Sequence, residues 1–539
     1  AWSQQVTAAI VGRVADEKDA PIALAKVTAK DEARGTVWTT ETNTEGIFNL
    51  PRLPVGTYEV RVEARGFQTA VRSSVLLEIN QISRMDIPMK VGEYTQTIEV
   101  TAEAPLLQSE STQLSTVIDS RTNTALPLAT RNYIQLTLLS PGSVNPNPAS
   151  MIGGGPSVFG GRPYINGNRE QANNFLLDGM DNNQVSDNLV GFTPSPDAIQ
   201  EFNLITNNAP AEFGNFQGGI ISVSTKSGTN QYHGTAFEFF RNDVLNANNW
   251  ANNLFGSPKQ KIRYNQFGGG VGGPILKDRL FFFADYQGLR NNTPASTNFI
   301  TVFTEKERRG DFSELDVQLF NPFELDASGN RVPFPNNQIP LSMIDIVAQN
   351  LFNSPLYPAP INSNRQGNQL NTTNSYNHVD QGDLRIDYNH SQKDNIFGRY
   401  SQSQTNNPSV NSFQLLADSF LDAPTYNSVV NWTRTINPGF VNEARFGVNY
   451  VKVHNGGAVK TLQPVAEELG IQDGNDRGPG LFALNFGAAF VNNLGDANIG
   501  TQQLFANTVI QFEDSLIITR GEHIFRAGFQ YKRIRVNTF

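Results

Sequence analysis

Few side chains in this sequence have the type and spacing that enzyme chemistry requires. The five histidines are scattered, and none forms a His-x-x-x-His pair. They are His233, His378, His390, His454 and His523. Cysteine is absent, which excludes disulfide scaffolds, cysteine-ligated metal sites and thiol catalysis. We therefore expect no catalytic residue, no metal site and no cofactor, and we predict that the chain is not an enzyme.

Two short patterns are similar to ligand-binding motifs but have simpler interpretations. Gly268–Gly273 fits the spacing Gly-x-Gly-x-x-Gly, yet it lacks the strand-to-helix context of a dinucleotide fold. It is therefore predicted to be a glycine-rich strand. Asp178, Asp181 and Asp187 form a loose acidic group, which either binds calcium or consists of solvated turn carboxylates. The second interpretation is favoured.

The composition excludes several classes of partner. Among 539 residues, 41 basic and 50 acidic side chains give a net charge of −9, and no long basic run exists, so nucleic acid is not expected as a partner. No apolar stretch reaches the length of about 18 residues that a transmembrane helix needs. The first residues, Ala1–Gln5, carry no signal-peptide pattern, which fits a processed envelope protein and a cytoplasmic protein equally.

Residues 7–90 have the pattern of a small β-sandwich, because short apolar-alternating strands are separated by Gly, Pro and Asn turns. The segment resembles the carboxypeptidase-regulatory-like domain. The resemblance is carried by Gly12–Val14, Thr44–Phe48, Leu53–Tyr58 and Ala64–Phe67. No histidine lies in this segment, so the metal ligands of a zinc peptidase are missing and peptidase activity is not implied.

Residues 91–120 form a polar linker with one short alternating run, and residues 121–228 are rich in Asn, Gly and Pro. Within this second block we predict short strands at 175–179, 199–205 and 218–228, with weak helical periodicity near 131–140.

From residue 231 onward, apolar and polar side chains alternate strictly, as in a sheet with one apolar and one polar face. The nine candidate strands are 231–241, 263–273, 279–288, 383–389, 395–401, 427–434, 442–452, 505–517 and 523–535. Short gaps between them alternate with the long gaps 242–262, 289–382, 402–426 and 453–504. This rhythm is typical of an up-and-down outer-membrane barrel with short periplasmic turns and long external loops. Repeated soluble β-domains are the alternative.

In a barrel, the aromatic residues near the strand ends are expected at the membrane interfaces. These are Tyr388, Tyr400, Trp432, Tyr450 and Tyr531. The predicted fold class is therefore mainly β: a small N-terminal β-sandwich at 7–90, an α+β block at 121–228 and the N-terminal portion of a transmembrane antiparallel β-barrel at 229–539.

Four stretches of the block 121–228 stand out as motifs: Arg162–Gly167, Asn174–Asp181, Ala198–Phe202 and Glu212–Ile221. Together they resemble the plug domain of TonB-dependent outer-membrane receptors of Gram-negative bacteria, with Asn166 in place of a more usual Arg. The resemblance implies that this block is an α+β plug domain. The order of sandwich, plug and barrel is closest to the Oar-like branch. The resemblance singles out seven plug residues, Arg162, Asn166, Gly167, Asp178, Gly179, Gly218 and Gly219. The glycine pairs Gly160–Gly161 and Gly218–Gly219 are expected to allow close backbone packing and positive φ.

The linker run resembles the TonB box, the segment that an energy-transducing partner captures by strand addition. Its residues are Thr97, Ile98, Glu99, Val100, Thr101 and Ala102. A plain linker strand, or the last strand of the sandwich, is the alternative. The resemblance implies a cell-outer-membrane protein that contacts lipid, works with a TonB-type complex and imports a large or scarce solute through a plugged barrel.

Two other functions stay open at this point: a surface-adhesion or secretion-linked protein built on the same barrel, and a soluble multidomain β-protein. The solute is not identified, although the Asn, Gln and aromatic residues of loops 289–382 and 453–504 suit a glycan or a peptide. Nine strands are too few to enclose the plug, and the strand-like run 528–536 lies near Phe539. We therefore expect further strands beyond Phe539.

Overall fold

The computed structural model describes most of the chain. The described residues are 7–92, 97–99, 111–128, 130–145, 162–214, 216–254, 256, 258–259, 261–458, 463–476, 478–487, 491–496, 503–521 and 523–538. Among them, no helix combines the length and the apolar character needed to cross a membrane. The chain is mainly β, as the sequence predicts, and three regions follow one another along it.

The first region is a two-sheet sandwich. Its strands are β1 (Ala8–Asp16), β2 (Lys26–Asp31), β3 (Val37–Glu41), β4 (Ile47–Leu53), β5 (Gly56–Glu63), β6 (Thr69–Leu77), β7 (Ile82–Arg84), β8 (Ile87–Met89) and β9 (Thr97–Glu99). One sheet has the order β4-β1-β7, with β8 also paired to β1, and the other has the order β3-β2-β5-β6-β9. The apolar face of each sheet packs on the other, around the fully buried Phe48, Tyr58 and Val60. Tyr58 also donates a 2.6 Å hydrogen bond from its hydroxyl to the Pro54 carbonyl.

The second region is a mixed α+β unit. Its strands are β10 (Leu114–Asp119), β11 (Ser143–Val144), β12 (Tyr164–Ile165), β13 (Asn174–Leu177), β14 (Met180–Asp181), β15 (Asn183–Gln184), β16 (Leu189–Val190), β17 (Ile199–Asn207) and β18 (Ile220–Thr225). Its helical segments are α1 (Ser120–Ala125) and the 3₁₀ turns Tyr133–Leu139, Glu170–Ala172 and Pro196–Ala198. The main sheet has the order β10-β17-β18-β13-β14. Strand β10 lies within the segment expected to be linker, yet it pairs with β17 and so belongs to this sheet.

This second region has its own apolar core. Phe175, Phe192 and Phe202 are fully buried together with aliphatic side chains of β13, β17 and β18. Helix α1 begins at the cap Asp119, whose carboxylate accepts a 2.8 Å hydrogen bond from the Thr122 amide. The region therefore folds around apolar contacts of its own.

The third region is one large antiparallel sheet. Its long strands are β19 (His233–Asn242), β20 (Arg263–Leu276), β21 (Leu280–Ile300), β24 (Gln369–Asn389), β25 (Asp394–Asn406), β27 (Asp418–Asn437), β28 (Phe440–Ala458), β29 (Gln503–Arg520) and β30 (His523–Thr538), with the short strands β22 (Phe320–Leu325), β23 (Arg331–Pro333) and β26 (Ser409–Asn411) between them. Each long strand pairs with the next along the chain. All nine predicted strands are confirmed, but several run far into the expected loops: β21 ends at Ile300, and β24 begins at Gln369. Their outer halves are rich in Asn and Thr, so the apolar alternation that revealed the inner halves fades there.

The two faces of this sheet differ as the alternation predicts. Leu384, Ile386, Val430 and Phe446 are exposed on the outer face. The inner face carries buried polar groups such as Asn427, and it faces the second region. Because hydrocarbon provides no hydrogen-bond partners, an apolar outer face with a fully paired backbone is what a spanning sheet requires.

Long and short connections alternate along the sheet. The short turns lie at 277–279, 390–393 and 438–439, and a fourth includes Gly521. Residues of the long loops share one apolar core around Phe303, Tyr357, Phe413 and Leu481, which forms a folded cap at the opposite end. The elements of the loops are α2 (Trp250–Leu254), α3 (Ile346–Asn353), α4 (Val465–Glu468) and the 3₁₀ turns Asp243–Leu245, Glu307–Arg309, Pro335–Asn337 and Leu341–Met343.

Strands β19 and β30 form the two edges of the sheet among the described residues. A sheet that spans hydrocarbon has no free edge, because each unpaired N–H or C=O would lack a partner. We infer that both edges are paired in the membrane, with each other or with further strands.

The outer face of β27 provides a depth-dependent test of membrane insertion. Val430 lies near the middle of the strand, and its side chain is exposed. Ile436 is also exposed but lies at the end of the strand, beside the short turn. Arg434, two residues before Ile436, forms a 3.3 Å ion pair with Asp394 at this end. We expect Val430→Arg to destabilise the folded barrel by about 2–4 kcal/mol and Ile436→Arg by about 0–1 kcal/mol. Equilibrium unfolding in lipid vesicles measures both values. Equal costs would contradict the assigned membrane depth.

Candidate functional site

The candidate site is the junction between the inner face of the large sheet and the strands of the second region. Asp178 and Gly179 form the two-residue turn that joins β13 to β14, and both have positive φ, 48° and 77°. An Asp-Gly pair suits such a turn. A side chain at position 179 would also collide with the Arg445 guanidinium, so glycine is required here for space as well as for conformation.

The Asp178 carboxylate is buried and fully hydrogen-bonded. It accepts bonds from the Thr225 amide at 3.0 Å and the Thr225 hydroxyl at 2.8 Å, both on β18. Two arginines of the large sheet complete its surroundings, Arg399 Nε at 2.7 Å and Arg385 Nη1 at 3.3 Å. Because an isolated charge is costly to bury, this carboxylate and the Arg399 guanidinium each depend on the other.

A second set of buried charges surrounds Arg445 on β28. Its guanidinium contacts Glu443 Oε1 at 3.2 Å and Glu513 Oε2 at 3.1 Å, and it donates to the Gly179 carbonyl at 3.4 Å. Arg52 of the sandwich reaches the same group, with Nη1 3.0 Å from Glu443 Oε2 in an ion pair and Nη2 donating to the Ser515 hydroxyl at 3.0 Å. This set joins all three regions of the chain.

Two further ion pairs tie the second region to the sheet. Lys532 Nζ lies 2.9 Å from Asp181 Oδ2, and Arg526 Nη1 lies 3.2 Å from Glu212 Oε1. Asp187 is instead 3.6 Å from Arg162. The three aspartates of the loose acidic group therefore have separate cationic partners, two for Asp178 and one each for Asp181 and Asp187. The interpretation of Asp178 and Asp181 as solvated turn carboxylates is wrong, because both are buried.

The structure separates the other predicted plug residues from this junction. Arg162 is buried, pairs with Glu170 at 2.9 Å and lies within the second region. Asn166 and Gly167 form a left-handed turn in which Asn166 donates a 2.7 Å hydrogen bond to the Thr206 carbonyl. Gly218 and Gly219 lie beside Asn173 and Ile165 with no room for a side chain, as expected, but their φ angles are not positive, which corrects that part of the prediction. Gly160–Gly161 lie outside the described residues.

The segment similar to a TonB box is partly described. Thr97, Ile98 and Glu99 form β9, which pairs in parallel with Thr69–Val71 of β6 at the edge of a sandwich sheet. Val100, Thr101 and Ala102 lie outside the described residues. The backbone pairing thus matches the alternative in which this run is the last strand of the sandwich.

Sequence reasoning missed the charges that line the inner face, Arg385, Arg399, Glu443, Arg445 and Glu513. A signal was present, because these residues occupy the polar positions of alternating strands. A charge at such a position needs a partner when it is buried. The sequence does not show how deeply each position is buried or which group faces it.

A buried carboxyl also connects the second region to the sandwich. Glu201 on β17 accepts a hydrogen bond from the Ile79 amide, and Asn203 donates to the Ile79 carbonyl at 3.2 Å. Burial raises the pKa of Glu201 from 4.5 to about 8, reinforced by the nearby Glu78 and Asp119 and opposed by the bond from Ile79.

This raised pKa predicts a pH-dependent stability. The folded protein retains a proton on Glu201 that the unfolded chain releases above 4.5, so the contribution of this group is greatest at low pH and declines as the pH rises toward about 8. Glu201→Gln should remove this decline and raise the unfolding temperature at about pH 8. Calorimetry in detergent at several pH values measures the unfolding temperature of each variant. The control is Glu17→Gln, at an exposed position. An unchanged pH profile in Glu201→Gln would contradict the assignment.

The carboxylate of Asp178 provides a separate test. Asp178→Asn leaves Arg399 buried without its counter-charge, and we expect it to destabilise the second region within the barrel by about 3–5 kcal/mol. Asp187→Asn, at a side chain that is 60% exposed, should cost at most about 1 kcal/mol. Chemical unfolding, monitored by hydrogen exchange at β13 and β18, measures the free-energy cost of each substitution. Equal costs would show that the Asp178 contacts do not hold this region in place.

Comparison with known proteins agrees with this architecture. Residues 224–539 match the family model described as outer membrane beta barrel domain, and residues 9–90 match the carboxypeptidase regulatory-like domain. The chain is similar to the TonB-dependent transporter Oar of Myxococcus xanthus, with 29% identity over 309 residues, which cover 53% of this chain and 27% of that protein.

A similar fold occurs in the crystal structure of the outer membrane transporter YddB from Escherichia coli. That comparison has a TM-score of 0.50 at 11% identity and covers 79% of this chain and 48% of that one. The chain thus spans about a quarter of the curated relative and about half of the solved structure. These matches confirm the predicted Oar-like resemblance, the fold class and the outer-membrane location. The chain belongs to the outer-membrane β-barrel family and carries a carboxypeptidase-regulatory-like domain at its N-terminal side.

Proposed function

We propose that this chain imports a solute across the outer membrane through a barrel that its second region plugs, with energy from a TonB-type complex. The observation that carries the proposal is the set of ion pairs at the junction. Asp178, Asp181 and Glu212 of the second region each face a cation on the barrel wall. The printed name of the Myxococcus xanthus relative, a TonB-dependent transporter, supports it.

A polar junction suits a plug that must move. The second region keeps most of its apolar side chains in its own core around Phe175 and Phe202. It meets the wall through one small apolar contact, made by Leu189, and through charged and amide groups. When such an interface opens, water can solvate the separated charges, whereas separated apolar faces would gain nothing from water. The plug can therefore leave the wall as a folded unit.

The folded cap at the outer end fits the capture of solute. Three long loops contribute to its core through Phe303, Phe413 and Leu481, so the outer surface has a defined shape. In the outer membrane these loops face the exterior. Asn, Gln and aromatic side chains in them suit a glycan or a peptide, and we propose one of these as the solute class.

The domain limits are part of this proposal: the sandwich 7–90 with β9 added to one of its sheets, the plug from β10 to residue 228 and the barrel 229–539, which leaves a linker only between β9 and β10. Within the plug we assign Arg162, Asn166, Gly218 and Gly219 to its internal packing, since their contacts are internal. We assign Gly167 to the left-handed turn that it forms with Asn166. We assign Asp178 and Gly179 to its attachment to the wall.

We propose residues 97–102 as the contact for the TonB-type partner. Thr97–Glu99 is a short edge strand, and an edge strand can accept a strand from a partner through main-chain hydrogen bonds.

Deletion of residues 97–102 tests this function. We expect uptake to be lost while solute binding at the outer surface is retained, because the deletion removes the partner contact and leaves the loops intact. Cells that express the full-length protein are incubated with fluorescently labelled glycan and peptide libraries, and surface-bound and internalised label are measured separately. Ile98→Pro, which removes one N–H from the strand, should have the same effect. Uptake that survives both changes would refute the proposal.

A further inference from the structure

The sandwich lies against the short-turn end of the barrel. Asn43 donates to the Gly521 carbonyl at 3.0 Å, and Asn49 donates to the Thr519 hydroxyl at 2.9 Å. Thr36 accepts a hydrogen bond from Asn389 at another turn. These contacts reach two of the short turns. The domain is therefore attached to the barrel at two separate points and lies across its inner opening.

Arg52 extends this contact into the barrel interior. It is only 4% exposed, although it belongs to the sandwich, and its partners Glu443 and Ser515 lie on the barrel wall. Its φ is 61°, a left-handed conformation that is costly for a residue with a side chain. Such a conformation persists only where the surroundings determine it, and here it directs the guanidinium onto Glu443.

The charges around Arg52 form a continuous series. Arg52 pairs with Glu443, Glu443 with Arg445, and Arg445 both with Glu513 and with the Gly179 carbonyl of the plug turn. Withdrawal of Arg52 would leave two carboxylates with one arginine in a buried place. The docked sandwich therefore stabilises the same cluster that contacts the plug.

The sandwich also holds the plug directly. The Ile79 backbone is bonded to Glu201 and Asn203 of the plug, and Val55 and Ile79 pack against Val117 of β10. The domain thus contacts the plug and the wall at the same time.

A cavity of about 80 Å³, with both charged and apolar side chains on its lining, lies where the three regions meet. Arg34, Trp38 and Arg52 line it from the sandwich, Asp178 and Thr225 from the plug, and Arg385 and Asn431 from the wall. The cavity lies between the plug and the docked sandwich, so the sandwich borders the plug on its inner side.

We propose that the carboxypeptidase-regulatory-like domain is a second stopper of the pore. It closes the inner mouth and latches the plug to the wall through Arg52, and it has to undock before solute can pass. The docking on which it depends is given by the contacts above. Its place in the import cycle rests on the proposed function.

The position of β9 indicates how the stopper would be released. Thr97–Glu99 belongs to the sheet of the sandwich through its pairing with β6. A pull on this strand therefore acts first on the sandwich, and it reaches the plug only after the sandwich has moved or β9 has detached.

The closure of the pore by the sandwich can be tested without any TonB partner. The full-length protein is placed in planar bilayers, and its channel currents are recorded with KCl as the permeating probe. Arg52→Glu places a carboxylate against Glu443, and we expect the open probability to rise about tenfold or more, since breaking a buried ion pair is strongly unfavourable. The matched control is Arg65→Glu, at an exposed position of the same domain. This substitution should leave the open probability unchanged.

A reversible lock avoids any dependence on the folding of Arg52→Glu. Because the sequence has no cysteine, Asn49→Cys with Thr519→Cys provides one defined pair, which a short bis-methanethiosulfonate reagent can bridge. We expect the bridge to form in the resting protein, to suppress openings and, in cells, to block uptake until a reductant is added.

Two results would refute the proposal that the sandwich is a second stopper. One is an equal open probability for Arg52→Glu and Arg65→Glu, and the other is a cysteine pair that cannot be bridged in the resting protein. Loss of uptake on deletion of 97–102 together with unchanged conductance in Arg52→Glu would retain the import function and reject the second stopper. Uptake that survives deletion of 97–102, together with a raised conductance in Arg52→Glu, would support the second stopper and reject the import function.

Discussion

Hydrocarbon offers no partner for a backbone N–H or C=O, and this constraint determines most of the molecule. It requires every spanning strand to be paired with its neighbours, as β20 to β29 are. It also requires one face of each strand to be apolar and lets the other face be polar. A polar inner face can be closed only by a surface that satisfies its charges and amides. The plug provides such a surface, with Asp178, Asp181 and Glu212 opposite basic side chains.

The alternation of side chains made the strands predictable, because period 2 follows directly from the two environments of the sheet. The turn Asp178–Gly179 was predictable too, since its residue types fit a tight turn. The outer halves of β21 and β24 were not, because they extend beyond the lipid, where both faces meet loops or water and the alternation is lost. Pattern reasoning thus identifies the part of a strand that crosses the membrane better than its full length.

The partners of buried charges were beyond sequence reasoning for a different reason. Arg399 and Asp178 are separated by 221 positions, and the pairing depends on how the plug is oriented in the lumen. Arg52 carries no signal at all, because it lies in a short strand of a small sandwich, and nothing in the sequence distinguishes it from an exposed arginine of the same domain such as Arg65. A residue whose role arises from docking between domains can be recognised only when the domains are seen together.

The distribution of apolar and polar contacts divides the chain into units that hold together and surfaces that can part. The sandwich and the plug each have an apolar core, around Phe48 and Phe175 respectively. Between them, and between each of them and the wall, the contacts are mostly hydrogen bonds and ion pairs. A force applied at β9 would meet strong resistance within each core and weaker resistance at the surfaces where water can replace the lost partners. The weakest surface therefore yields first, and the buried pairing of Arg52 with Glu443 adds to the resistance of the surface between the sandwich and the wall.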